Sequence, residues 1–181
     1  RDGTYPVNLP CVLGIEGVGK IVAIGDKVRE CSLGDRVGYA AAPLGAYSEI
    51  RDYPARNIVK IPDHINDLVA ASILLKGMTV EYLLNRTYLV KKDEFVLFHA
   101  AAGGVGLLAC QWLKAVGAKM IGTVGSEEKS VVAKRAGCNH VINYKKENVS
   151  KKIMEITNGR GVSVAYDGVG KDTFQTTVDS L

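Results

Sequence analysis

The chain has 181 residues, 47% hydrophobic and 23% charged, with 20 glycines and a net charge of +4. That is enough chain for one or two domains with a real core, and no apolar run nears the roughly 20 residues a membrane span needs. Residues 1–72 hold 8 Lys/Arg against 9 Asp/Glu, and residues 73–181 hold 15 against 10; the second part suits an anionic small molecule, and without aromatics among its lysines it offers no clear nucleic-acid site.

Cysteines stand at 11, 31, 110 and 138. No pair has metal-ligand spacing, so we expect no metal site and four reduced thiols in a cytoplasmic protein. Up to about residue 62 the chain reads as short β segments, Gly19–Ile24, Asp35–Tyr39 and Ala46–Ile50. Turns are expected at Gly25-Asp26, Leu33-Gly34 and Pro43–Gly45, giving a small irregular barrel or sandwich. A helix then starts, capped by Asp63 or Asn66 and carrying Leu68, Val69, Ala71, Ser72 and Leu75. A second helical piece is expected over Thr79–Leu89.

From there strands (94–100, 119–124, 140–144, 162–167) alternate with helices (105–116, 127–136, 147–157, 172 onward). Alternation of this kind implies a parallel sheet with right-handed crossovers. Gly117 and Gly137 are expected as helix C-caps. A complete dinucleotide fold has six strands, and four are readable here. Residue 1 is Arg. Both points lead us to expect a longer protein truncated at both ends.

The most telling stretch is Phe95–His99 followed by Ala100–Gly106 and the apolar helix after it. The dinucleotide fingerprint wants Gly-x-Gly-x-x-Gly; Ala101, Gly103 and Gly106 hold those places, with Ala102, Gly104 and Val105 between them. Gly103 lets the backbone approach a pyrophosphate, Gly106 lets helix and strand pack closely, and the free N–H groups at the helix start face the anion. The ribose selector should lie about 20 residues on, where Asp or Glu would choose NAD. Gly125 stands there, followed by Ser126, a hydrogen-bond donor. Lys129 lies one turn later, and Tyr144 emerges at the end of the next strand. These residues favour a 2′-phosphate, hence NADPH. The plainer readings are an exposed helix lysine, a strand-end aromatic, and a Glu127 that binds ribose if the strand ends two residues later.

Six blocks in order, PCVLGIEGVG (10–19), GDRV (34–37), GAYSE (45–49), KGMTVEYL (76–83), AAAGGVG (100–106) and YDGVG (166–170), resemble the quinone oxidoreductase, zeta-crystallin-like branch of the medium-chain dehydrogenase/reductase superfamily. The resemblance implies an α/β protein. A GroES-like β-rich domain (1–72) would precede a Rossmann doubly wound parallel sheet (73–181) that binds NADPH. It implies cofactor contacts at Thr79, Ala101–Gly104, Gly125, Lys129, Tyr144 and Val169, and a homodimer at full length. Zinc-dependent relatives carry Gly-His-Glu where this chain has Gly14-Ile15-Glu16, and a four-cysteine lobe that is missing here. The resemblance therefore implies a zinc-independent reductase of quinones. An alkenal or enoyl reductase, or an NADPH-binding crystallin-like protein without turnover, stands as the alternative. Glu16 is expected as a buried acid near Arg36. His99 reads as a packed core residue, His64 as a turn residue and His140 as a strand-edge residue, so no catalytic residue is named.

Overall fold

An antiparallel ladder organises the first part of the chain in the computed structural model, which describes residues 6–181. The chain divides into two units, Arg1–Leu75 and Lys76–Leu181. In the first, β1 (Glu16–Lys20) pairs with β2 (Arg36–Ala40), which pairs with β3 (Val59–Lys60). The expected strand at 19–24 lies three residues earlier, because the ladder is set by its partner: it ends where Lys20 meets Arg36. Beyond it Val22 is exposed. The expected strand at 46–50 is absent. The amides of Gly45, Ala46 and Tyr47 do pair, but with the carbonyls of Gly14 and Leu13. Gly14 (φ +90°) and Gly45 (φ +126°) turn that contact too sharply for a ladder.

Glu16 is not beside Arg36. The register puts them at opposite ends of the β1–β2 ladder. Glu16 is half-buried and accepts the Leu75 amide at 2.7 Å. Arg36 instead donates to the carbonyls of Pro62 and Ile65 and pairs with Asp67 at 3.5 Å.

Helix α1 (Asp67–Tyr82) is one piece, not two. Asn66, not Asp63, caps it, its Oδ1 accepting the Val69 amide at 2.8 Å. Gly77 and the β-branched Thr79-Val80 weaken intrinsic helicity there. Burial of Val80 and Leu84 outweighs that weakness. A π-helical turn (Leu83–Thr87) follows. The Tyr166 hydroxyl donates to Leu83 O at 2.9 Å, and its burial pushes its pKa up to about 12.

The second unit is a four-stranded parallel sheet in the order β6–β5–β4–β7. Its strands are β4 (Phe95–Phe98), β5 (Lys119–Val124), β6 (His140–Asn143) and β7 (Val164–Tyr166). Helices α2 (Gly104–Val116), α3 (Glu127–Ala136), α4 (Val149–Thr157) and α5 (Phe174–Val178) follow them in turn. The strands read as unbroken apolar runs because both faces are buried. Val96, Phe98 and Met120 pack with Ala109, Cys110 and Leu113 of α2. Leu97, Ile121 and Ile142 point the other way, onto Val149 and Ile153 of α4. Gly117 (φ +83°) and Gly137 (φ +113°) end α2 and α3 as left-handed caps.

Gly122, in the middle of β5, has no room for a side chain. A Cβ there would sit 2.5 Å from Ala101 Cβ and 2.8 Å from Cys138 Sγ. Gly122→Ala is expected to destabilise the protein by about 1–3 kcal/mol, the usual range for overpacking a core. At roughly 2–4 °C per kcal/mol, thermal denaturation followed by circular dichroism measures it.

Candidate functional site

The loops at the carboxyl ends of the four parallel strands enclose a cleft of about 530 Å³. That lies inside the roughly 300–1,000 Å³ common for small-molecule sites. Strand order 3-2-1-4 reverses direction between β4 and β7, and open α/β sheets bind ligands at such a point.

The floor is the glycine turn. The chain leaves β4 through Ala100 in the left-handed region (φ +53°), and the Gly103 amide closes the turn on Ala100 O at 2.8 Å. Helix α2 then starts at Gly104 with no side chain capping it. Its first amides have no partners within the helix and carry the positive end of the dipole. A Cβ at Gly106 would lie 2.6 Å from the carbonyl oxygens of Ala100 and Ala101, and backbone atoms cannot yield. A Cβ at Gly104 would meet the Lys76 stem at 2.8 Å, so that lysine lies across the turn.

Of the residues singled out from sequence, Ala102, Gly103, Gly125, Lys129, Tyr144 and Val169 line the cleft. The other six do not. Ala101 is fully buried beneath the turn. Gly104, Val105 and Gly106 form the first turn of α2. The Ser126 oxygen caps α3 by accepting the Lys129 amide at 3.3 Å. Thr79 is half-buried within α1.

The corner beyond β5 has a definite electrostatic character. A Cβ at Gly125 would be 2.6 Å from the Tyr144 hydroxyl, so the tyrosine occupies the space an acidic selector would need. Glu127 turns away from it: its carboxylate accepts Lys146 Nζ at 2.8 Å and Asn143 Nδ2 at 3.4 Å. The Lys146 ammonium holds Glu127 below the usual carboxylate range. Lys129 is exposed and lines the cleft.

On the opposite wall sequence reasoning picked out Val169 alone. His99 is buried, as expected of a core residue, yet it lines the cleft and is hydrogen-bonded on both ring nitrogens. Nδ1 lies 3.0 Å from Thr123 Oγ1 and Nε2 3.0 Å from Thr177 Oγ1. Thr177 donates to Asp167 Oδ2 at 2.9 Å, and Thr173 to the same carboxylate at 2.7 Å. Asp167 also accepts the amides of Val169 (2.8 Å) and Gly170 (3.0 Å). The one sequence signal was Asp167 opening the Asp-Gly-Val-Gly block at the end of a strand, where an Asx turn is common. Among the described residues, no group of three or more His, Cys, Asp or Glu is placed to hold a metal ion.

Two family models match the chain: "alcohol dehydrogenase GroES-like domain" over residues 1–63, and "zinc-binding dehydrogenase" over residues 104–181. Together the two models cover most of the chain, which belongs to the medium-chain dehydrogenase/reductase superfamily and is similar to quinone oxidoreductases within it. A quinone oxidoreductase of Pseudomonas aeruginosa is 49% identical over 100% of this chain and 56% of its own length. A 2-haloacrylate reductase of Burkholderia is 44% identical over 95% of the chain and 52% of its own. The crystal structure of the Escherichia coli quinone oxidoreductase complexed with NADPH has a TM-score of 0.96 at 49% identity, covering 100% of this chain and 56% of that one. The chain thus spans about half the length of the relatives it matches.

Burial pushes the Asp167 carboxyl up, but the Thr173 and Thr177 hydroxyls and the Gly170 and Val169 amides hold it well below its ordinary 3.8. An acid lowered in the folded state adds stability that is complete above its unfolded pKa, begins to be lost as pH falls past that value, and is gone below the folded-state pKa. Asp167→Asn is expected to be less stable at pH 7 and to lose less stability than wild type between pH 4.5 and 3. Urea unfolding across that window measures both.

Proposed function

We propose that this chain is the greater part of the cofactor-binding machinery of an NADPH-dependent reductase of quinones. The observation that carries the reading is the corner beyond β5. Gly125 is covered by the Tyr144 hydroxyl, and Lys129 lines the cleft. Position 125 offers no carboxylate to select a ribose diol, the Glu147 carboxylate that also lines the cleft is engaged by the Asn143 amide at 3.2 Å, and a 2′-phosphate would meet Lys129 and the Tyr144 hydroxyl. The residues present fit NADPH elsewhere too. The uncapped start of α2 suits a pyrophosphate, and a Cβ at Gly103 would crowd the Ala100 carbonyl at 3.1 Å and disturb the turn that presents it.

Bound there, NADPH would supply a hydride. The work left to the chain is to bind, orient and keep water out. Lys129 and Tyr144 would hold the adenosine end, with Ser126 fixing the start of α3 that carries Lys129, Ala102, Gly103 and the first amides of α2 the diphosphate, and Val169 the wall at the other end. Thr79, which the family resemblance implies as a contact, remains part of this proposal. A conjugated carbonyl spreads incoming charge onto its oxygen, which makes a small quinone or enone a suitable acceptor without a metal or a dedicated base. The names of the relatives, quinone oxidoreductase and 2-haloacrylate reductase, support an acceptor of that class. Four free cysteines accord with a reducing, cytoplasmic setting, and the family resemblance supports a homodimer for the complete protein.

Lys129→Ala is expected to weaken NADPH about tenfold and leave NADH unchanged, as loss of one charge-assisted contact predicts. Fluorescence titration of both coenzymes measures it, and an equal loss for the two would overturn the phosphate role. The complete protein is expected to turn over an o-quinone with NADPH. Activity on an enal alone would favour the alkenal reductase, and binding without either activity would favour the non-catalytic protein.

A further inference from the structure

The wall of the cleft at β7 is tied to its floor by one directed chain of hydrogen bonds, and His99 is its central link. Asp167 is an acceptor only, because its carboxyl is ionised. The Thr177 hydroxyl has one hydrogen; Asp167 Oδ2 and Thr173 O both lie at 2.9 Å, and the carboxylate, the stronger acceptor, takes it. The Thr177 oxygen is left to accept, so the group facing it, His99 Nε2, must carry a proton. Burial lowers the His99 pKa against the raising influence of Asp167, so the ring is neutral and Nδ1 is bare. Thr123 then donates to Nδ1. The order runs Thr123 to His99 to Thr177 to Asp167, and Asp167 ends it by holding the amides of Val169 and Gly170.

Each link comes from a different element. Thr123 lies in β5, His99 follows β4, Thr177 is in α5 and Asp167 follows β7. These elements border the place between β4 and β7 where the strand order reverses. A dinucleotide across that crevice puts its adenosine toward β5 and β6, and its second nucleotide toward β7. Val169, His99, Thr173 and Thr176 line the cleft.

We propose that His99 is a positioning residue that, donating from Nε2 to Thr177, fixes the 167–170 loop as the nicotinamide-side wall of the cleft. The role at the coenzyme rests on the function proposed above; the role in holding the loop does not. Neither nitrogen of the ring is free for chemistry, so His99 acts through Thr177 and Asp167 and not on a substrate.

The test uses the full-length protein with three variants: Thr177→Val, His99→Leu and His99→Gln. The glutamine amide keeps an N–H directed at Thr177. Amide hydrogen exchange at Val169 and Gly170 is the first readout. Loss of a link is expected to speed it about tenfold in Thr177→Val and His99→Leu, while amides of β4 and β5 stay protected. NADPH affinity is the second, expected to fall about fivefold in both and to recover largely in His99→Gln. Unmoved exchange at 169 and 170 in Thr177→Val, or a glutamine variant no better than leucine, overturns the proposal. If His99→Leu loses protection throughout the sheet, the comparison of Thr177→Val and His99→Gln with wild type decides. If wild type does not bind NADPH, the functional reading fails, and the exchange data still decide the role of His99.

Discussion

The contact on which the second unit depends is the approach of the 100–106 turn to the sheet beneath it. Ala101 is fully buried, and its amide bonds to Thr123 O at 3.0 Å. Its methyl lies where a side chain at position 122 would be, and position 122 is glycine. From above, Gly106 comes so near the carbonyls of Ala100 and Ala101 that no Cβ fits. Two missing side chains and one small one set the depth of the turn. That depth aims the start of α2 into the cleft, and every further feature of the site is measured from it.

The two sides of the cleft are built differently. On the β5–β6 side the chemistry is exposed and electrostatic: Lys129, the Tyr144 hydroxyl, and a Glu127 drawn aside by Lys146 and Asn143. Exposed pairs of this kind add little to folding, so their effect is on which anion is accepted. On the β7 side the chemistry is buried and directional. His99, Thr123, Thr177 and Asp167 satisfy one another's polar atoms almost completely, and a satisfied buried network holds one geometry. One wall discriminates by charge and the other holds shape.

Legibility in the sequence followed the range of the interactions. The parallel-sheet strands and helices α2 and α3 were readable to within a few residues, because apolar periodicity and glycine caps are local signals. The antiparallel ladder was read less well. The segment 46–50 alternates like a strand, but its amides go to Leu13 and Gly14, residues more than thirty positions away. Glu16 and Arg36 looked like partners by chemistry, and a register that no local pattern encodes put them at opposite ends of β1 and β2.

The sequence alone determined the order of elements in the second unit, the glycine turn, and the absence of an acid at position 125. Each of these depends on a residue's own backbone freedom or side-chain chemistry. Only the tertiary structure decided that Tyr144 stands over Gly125, that Lys146 restrains Glu127, and that His99 bonds both to Thr123 and to Thr177, the latter 78 residues along the chain. A hydrogen bond needs two groups within about 3 Å and suitably aligned, and nothing in the spacing along a chain fixes that until the strands are paired.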